Sequence, residues 1–248
     1  MQKVSIVIPC YNEEQNIAAL LSRINSLATQ LTHIDLSVLI VNDGSTDKTE
    51  IIARDFPSSQ VKKEILNIHP NKGLANALFE GFKKSINQLK GNDIIVILDG
   101  DDSHHPALIE SMIAKINEAS DIVIASRFQK DSEIIGLSSF RKFTGWAASM
   151  LFRVTLPIKN VKDYTCGFRA YKVSIIQNAL SNYGNNFIEE KGFACMAEIL
   201  IKLSKIGANV CEVPMVLRYD RKQGESKMKV GKTIKQSLKL IAKNIFSK

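Results

Sequence analysis

The chain is expected to form one large α/β domain over residues 1–217, a mostly parallel sheet flanked by helices, with a basic amphipathic extension over 218–248. Three observations predict this. Ile94 to Leu98 is an unbroken apolar run rich in β-branched residues, as a strand buried on both faces of a parallel sheet requires. Its polarity then changes abruptly into Asp99, Asp101 and Asp102, which marks the end of the strand. Strand and helix patterns alternate through the first half, which implies right-handed βαβ crossovers. A chain of 248 residues can bury a substantial core, and no Pro/Gly/Ser linker, internal repeat or low-complexity tract divides it.

The elements follow in order. Val4–Pro9 reads as a strand; Asn12 and Gln15 then resemble a capping box opening a helix that carries Ile17, Leu20, Leu21, Ile24, Leu27 and Leu31 on one stripe. Leu36–Val41 is the next strand and runs into the polar loop 42–47, after which Asp47 and Glu50 support a short helix to about Phe56. Val61–Asn67 is a third strand, Asn71 to Gly73 a turn, and Leu74–Leu89 a helix in which Gly81 serves close packing rather than a break. After the central strand, Pro106 suits the first position of a helix to about Ala119, and Asp121–Ser126 is a strand ending at Arg127. Ligand crevices in open α/β sheets lie beyond the carboxyl ends of the strands, so loops 9–13, 42–47, 99–105 and 126–128 should share one rim.

After residue 130 the rhythm breaks. Phe140, Phe143, Ala147, Met150, Leu151 and Val154 form one stripe of a helix within Leu137–Leu156, ringed by Trp146, Phe152, Arg141, Lys142 and Arg153. Core packing is the first expectation for that stripe, and contact with a membrane surface the second. Asp163 to Tyr171 is a loop entering a short strand, Val173–Leu180 and Phe193–Ser204 read as helices, and Asn209–Val213 as a strand. Val230, Ile234, Leu238, Ile241 and Ile245 fall within a sector of about 80°, opposite Lys232, Lys235, Lys239 and Lys243. That basic amphipathic helix either docks on its own domain or meets anionic lipid.

The net charge of +8 resides in the tail: residues 218–248 hold ten Lys and Arg against Asp220 and Glu225, while the rest of the chain balances. The tail lacks interleaved aromatic residues for base stacking and the rim is acidic, so no nucleic-acid partner is expected. Cys10, Cys166, Cys195 and Cys211 are scattered without a CxxC pair, which predicts reduced thiols and a cytoplasmic setting. The amino terminus lacks the basic flank and cleavage site of a signal peptide, and no apolar run reaches the ~20 residues that span a bilayer.

The rim residues suit a nucleotide diphosphate. Asp43 and Glu13 can accept hydrogen bonds from base or ribose, and Tyr11 offers a ring to pack on the base. Acids as close as Asp99 and Asp101 repel unless a cation joins them, and a hard divalent ion held also by substrate phosphates meets that need. Arg127, Arg141, Arg169, Arg221 and Lys227 are cations available to stabilise a leaving diphosphate.

Six blocks carry a family resemblance: Ile6 to Glu14, Val41 to Asp47, Asn71 to Gly73, Leu98 to Asp101, Asp163 to Tyr171, and Gln223 to Met228. In this order they resemble the inverting family 2 glycosyltransferases, and the last two blocks resemble the dolichyl- or polyprenyl-phosphate mannose (sugar) synthases. The resemblance implies a GT-A fold, a GDP- or UDP-linked sugar donor, Mg²⁺ or Mn²⁺, and a polyprenyl phosphate acceptor embedded in a membrane. It makes Pro9, Tyr11, Glu13 and Asp43 nucleotide contacts, with Lys72, Gly100 and Asp163 beside them in matching blocks. Asp99 and Asp101 become the metal-binding acids, with Ser103 where those synthases usually carry glutamine and Gly100 where they usually carry alanine. Arg127, Arg141, Arg169, Arg221 and Lys227 fall near positions that grip donor or acceptor phosphates. His104 or His105 is expected to serve the loop or cap a helix rather than act as a base.

A phosphate acceptor is already anionic at neutral pH and needs no strong base. A sugar-hydroxyl acceptor in surface-polysaccharide synthesis would need one, and Glu189 or Glu190 would then supply it. Relatives of this kind often carry transmembrane helices after this domain. This chain is expected to reach the cytoplasmic face of a membrane through its amphipathic helices or a separate membrane partner.

Overall fold

A computed structural model describes residues 1–224, 227–228 and 230–246. The strands are β1 (Gln2–Cys10), β2 (Ile34–Asp43), β3 (Lys62–Ile68), β4 (Ile94–Ile97), β5 (Ile122–Ser126), β6 (Glu133–Ile135), β7 (Arg169–Lys172), β8 (Val210–Pro214) and β9 (Val216–Arg218). The helices are α1 (Ile17–Gln30), α2 (Thr49–Asp55), α3 (Leu74–Ile86), α4 (Leu108–Asn117), α5 (Ser139–Thr155), α6 (Val173–Tyr183), α7 (Cys195–Lys205) and α8 (Val230–Phe246). The main sheet has the order β3-β2-β1-β4-β7-β5-β8, and β6 pairs with β9 in a small second sheet. Within the main sheet β7 runs antiparallel to both β4 and β5.

Apolar runs explain the centre. Ile94, Ile95 and Val96 of β4 are fully buried, and Ile6 and Ile8 of β1 lie equally deep beside them. The predicted stripe of α1 is buried at Ile17, Leu20, Leu21, Ile24 and Leu27. The register aligns the strand ends: Cys10 stands opposite Asn42, and Val7 opposite Ile97. Loops 11–13, 43–47 and 99–103 therefore begin at one level, on the rim expected for them.

Gly81 of α3 is a close-packing site. A Cβ there would stand 2.6 Å from Val7 Cγ1 and 3.4 Å from Val41 Cγ2, so α3 lies against β1 and β2 closely enough to admit only hydrogen. Gly81→Val should lower the unfolding free energy by about 1–3 kcal/mol through overpacking. Urea denaturation measures it, and an unchanged midpoint would mean that the helix shifts at no cost.

Local expectations fail where side chains serve tertiary contacts. Asn12 caps no helix: it adopts φ 54°, and its Oδ1 accepts from Thr46 N at 2.8 Å, joining the loops after β1 and β2. Helix α1 starts later, from a turn closed by Asn16 N and Ile17 N donating to Glu13 O. Pro106 lies two residues before α4, where its carbonyl accepts from Ile109 N at 2.9 Å. Asp47 does support α2, since its Oδ1 accepts from Thr49 N at 2.9 Å.

The largest departure concerns α5. Its predicted apolar stripe does not enter the core: Phe140 is 66 % exposed, Phe143 62 % and Val154 73 %, with Trp146, Met150 and Leu151 also exposed. Phe152 and Ser149 are the buried side chains instead. In α8, Ser237, Leu240 and Ile241 are buried while Ile234, Leu238 and Ile245 are exposed. The helix thus docks roughly a quarter-turn away from the centre of its apolar sector. The two helices touch each other. No helix among the described residues is long and apolar enough to cross a membrane.

Candidate active site

β1 and β4 are neighbours at the point where the sheet order reverses, and the crevice opens past their carboxyl ends. Asp99 stands half-buried there; a Cβ on Gly167 would come within 3.0 Å of its Oδ1, so a glycine lets loop 163–168 back the carboxylate closely. Asp101 Oδ1 accepts from Ser103 Oγ at 2.6 Å and from Ser103 N at 3.1 Å. Its Oδ2 accepts from Lys222 Nζ at 2.7 Å. Asp102, at φ 56°, belongs elsewhere: it takes Arg23 Nε at 3.0 and 3.2 Å. Gly100 is forced by its neighbours, since a Cβ would stand 2.8 Å from Cys10 Sγ.

Burial raises the Asp99 carboxyl above its usual range, and nearby Asp101 adds to this while His104 opposes it. Burial acts on Asp101 in the same direction, but Lys222, His104 and the Ser103 hydroxyl outweigh it and hold that carboxyl low. His104 Nδ1 lies 3.8 Å from Asp99 Oδ2, with the ring tilted over Phe168. His105 fills a local role, its Nδ1 accepting from Ala107 N at 3.2 Å.

The rim is closed by contacts between loops. Both oxygens of Asp43 are engaged, Oδ1 by Lys72 N at 2.9 Å and Oδ2 by Gly73 N at 2.7 Å, which ties turn 71–73 to the end of β2. The Lys72 side chain and the Tyr11 ring stay exposed, and Pro9 is half-buried near the end of β1. Glu13 Oε2 accepts from Asn16 Nδ2 at 2.8 Å, and its Oε1 accepts from Lys227 Nζ. Asn16 also exchanges hydrogen bonds with the backbone of Gln223, at 2.8 and 3.1 Å. Segment 219–224 therefore straps the loop after β1. Within the sixth block, Glu225 and Ser226 lie outside the described residues.

The arginines separate by placement. Arg127 faces the crevice while donating to Asp163 at 2.6 and 2.8 Å and to Thr165 Oγ1 at 2.6 Å. Asp163 is fully buried and its oxygens are spent on Arg127 and on the backbone of loop 163–166, so it organises that loop rather than facing the crevice. Arg141 lines the crevice from α5, its Nη1 donating to Tyr219 OH at 2.7 Å. Arg169 does not reach it: the side chain is fully buried, and its guanidinium donates to the carbonyls of Met196 and Tyr164 at 2.7 and 2.8 Å. A phosphate-gripping role expected for Arg169 gives way to one of joining α7 to loop 163–168. Arg221 stands outside the crevice lining too, near Arg23, Arg218 and Asp102. Burial, then Arg23 and Arg218, push its guanidinium below the usual arginine value.

Arg127→Met would leave the Asp163 carboxylate buried without its counter-charge, held mainly by backbone donors, at an expected cost of about 3–5 kcal/mol. Burial by itself pushes the Asp163 carboxyl up, but Arg127 and the backbone donors win and hold it below the ordinary 3.8. In the wild type its contribution is therefore present above that value and is lost as pH falls through the depressed one. In the variant the carboxyl is raised, so acid relieves the penalty. The difference in urea stability should be large at pH 7 and shrink toward pH 5; a difference independent of pH would show that Asp163 is not the cause.

The crevice is one pocket of about 190 Å³ that runs from the carboxylates into the space between α3, α5, α7 and α8. Leu78 of α3, Ala148 of α5, Met196 and Ala197 of α7 and Ile234 of α8 make it mostly apolar. Glu189 and Glu190 are not among its lining residues, and Glu189 is engaged by Lys202 at 2.9 Å and Lys243 at 3.1 Å. Sequence reasoning missed Lys222, Asn16, Tyr219 and Gly167. Gly167 lies within the block Asp163 to Tyr171, whose resemblance was its one signal; for Lys222, Asn16 and Tyr219 the deciding partners Asp101, Gln223 and Arg141 are far away along the chain.

The family model for glycosyl transferase family 2 matches residues 5–180. The chain belongs to that family. This family 2 glycosyltransferase is 34 % identical over 240 residues to the dolichol-phosphate mannosyltransferase of Pyrococcus furiosus, covering 96 % of this chain and 62 % of that protein. It thus spans less than two thirds of that relative. It is 29 % identical over 229 residues to the undecaprenyl-phosphate mannosyltransferase of Micrococcus luteus, covering 92 % and 88 % of the two chains. Glucosyl-3-phosphoglycerate synthase from Mycobacterium tuberculosis, solved with Mn²⁺, UDP and phosphoglyceric acid, has a TM-score of 0.65 at 19 % identity, over 98 % of this chain and 78 % of that one. Mannosyl-3-phosphoglycerate synthase from Rubrobacter xylanophilus has a TM-score of 0.65 at 16 % identity, over 99 % and 75 %. At that distance the likeness shows the fold, a GT-A arrangement.

Proposed function

We propose that this glycosyltransferase moves one hexose, mannose or glucose, from a GDP- or UDP-linked donor to a polyprenyl phosphate, with inversion, at the cytoplasmic face of a membrane. The observation that carries the reading is the pocket that starts at Asp99 and Asp101 and continues, apolar, between two helices that both expose apolar side chains. A phosphate at its mouth and a prenyl chain along it match that gradient of polarity. The names of the curated relatives, mannosyltransferases acting on dolichol and undecaprenyl phosphates, support the same acceptor class.

The residues fit a divalent cation. Asp99 and Asp101 face one crevice, and the Lys222 ammonium on Asp101 supports a site suited to positive charge. Asp99 and Asp101 would hold Mg²⁺ or Mn²⁺, with donor phosphates completing the shell, while the Ser103 hydroxyl steadies Asp101. Bound there, the cation would neutralise charge developing on the leaving diphosphate. Loops 9–13 and 43–47 would position the nucleotide. Arg127 and Arg141 would hold the acceptor phosphate across the anomeric carbon from the diphosphate. The phosphate oxygen then bonds to that carbon as the bond to the diphosphate breaks, the electron pair leaving with the diphosphate, which inverts the centre.

The test incubates purified protein with Mn²⁺ or Mg²⁺, a short polyprenyl phosphate and, separately, GDP-mannose, UDP-glucose and UDP-N-acetylglucosamine, and follows lipid-linked sugar by mass spectrometry. One donor should give a lipid product that chelation abolishes. Transfer to a sugar hydroxyl instead, lost in Glu189→Gln or Glu190→Gln, would replace this reading.

A further inference from the structure

The pair Lys222–Asp101 is the most enclosed cation–carboxylate contact at the crevice apart from Arg127–Asp163. The side chains are 10 % and 13 % exposed, and the ammonium lies 2.7 Å from Oδ2. Ser103 occupies the other oxygen. Each oxygen of Asp101 is thus already satisfied by the protein itself. The lysine is also steered: its ammonium lies 5.5 Å from the centroid of the Tyr219 ring, whose hydroxyl accepts from Arg141 of α5. Its neighbour Gln223 is bonded through the backbone to Asn16.

We infer that Lys222 is a built-in counter-cation of Asp101, which a divalent cation must displace before it can use that carboxylate. The inference rests on the metal part of the function proposed above. An ammonium and a divalent ion cannot share one carboxylate oxygen without strong repulsion, so loading the metal requires the lysine to withdraw. Because Lys222 belongs to strap 219–224, its withdrawal also disturbs the segment that closes over the loop after β1. Free protein should therefore bind the metal weakly, and a donor diphosphate, which brings negative charge to the same place, should favour the exchange. Lys222 is a positioning residue in this scheme.

The experiment measures Mn²⁺ binding to the donor-free full chain by the loss of the free-ion electron paramagnetic resonance signal, for wild type, Lys222→Met and Lys222→Arg, with Asp101→Asn as the control for site occupancy. Lys222→Met should bind Mn²⁺ about tenfold or more tightly than wild type. Its thermal midpoint should fall without metal, because Asp101 loses its partner, and recover on adding Mn²⁺. Lys222→Arg should stay near wild type in both respects and so shows that charge, not shape, is responsible. Mn²⁺ affinity in Lys222→Met equal to or weaker than wild type, with the Asp101-dependent signal intact, overturns the inference and leaves the metal site standing. No Asp101-dependent Mn²⁺ signal in any variant, with or without a nucleotide sugar, overturns both.

Discussion

Asp101→Asn is expected to reduce formation of the lipid-linked sugar by roughly 10³-fold or more, because the charge facing the leaving diphosphate is lost while the shape of the site is kept. Asparagine offers one acceptor oxygen where the carboxylate offers two and leaves the Lys222 ammonium without a counter-charge, so the thermal midpoint should fall while far-ultraviolet circular dichroism stays close to wild type. Ser103→Ala should cost far less, about tenfold, since its hydroxyl lines the crevice but is spent on steadying Asp101. Product formation by mass spectrometry separates the two variants. A drop in Ser103→Ala as large as that in Asp101→Asn would mean that the serine ligates the cation directly, and near-normal turnover in Asp101→Asn would remove the carboxylate from the chemistry.

The second large effect concerns the outer face of α5. Replacing Phe140, Phe143 and Val154 together by serine removes three side chains that are 66 %, 62 % and 73 % exposed and therefore contribute little to folding. If they insert into lipid, each contributes about 1.5–3 kcal/mol, and the triple variant should partition into vesicles at least about 10³-fold more weakly. Its thermal midpoint should be unchanged, as should turnover with a short acceptor dispersed in detergent. Sedimentation with anionic vesicles reads the partition. Lys235 and Lys239, exposed on α8, would add a salt-sensitive component of about 1 kcal/mol each. Binding that persists undiminished in the triple variant would place the attachment elsewhere.

Period and polarity made most of the fold legible. The buried run Ile94–Leu98, the stripe of α1 and the alternation of strands and helices are statements about which side chains leave water, and the sequence carries them directly. The acids Asp99 and Asp101 were equally visible because a strand end in a parallel sheet is also a site position. What could not be read is where a side chain spends its hydrogen bonds. Arg169 looks like a phosphate ligand by type but is satisfied by two backbone carbonyls inside the protein. Asn12 looks like a cap but bridges two loops. By type Lys222 is one cation among many in a basic tail, and only a contact across 121 positions of sequence gives it a role. The stripe of α5 shows the remaining gap: periodicity detects an amphipathic helix without saying whether protein or lipid covers its apolar side.

Strand β7 has a consequence for how the chain reaches this state. It is a four-residue strand inserted between β4 and β5, antiparallel to both, so the two parallel parts of the sheet meet only through it. Every residue up to the end of β5 can be present while the centre of the sheet still has an open edge along Ile94–Ile97. That edge is apolar and unpaired, the kind that recruits a second chain. Closure depends on contacts between segments some 75 positions apart at β4 and 47 at β5, as in the pairs Ile95–Tyr171 and Val123–Ala170. Assembly of the sheet should therefore be late and slow relative to the helices. Truncation before residue 169 should yield an aggregating fragment rather than a smaller enzyme, with both strand edges that β7 covers left bare.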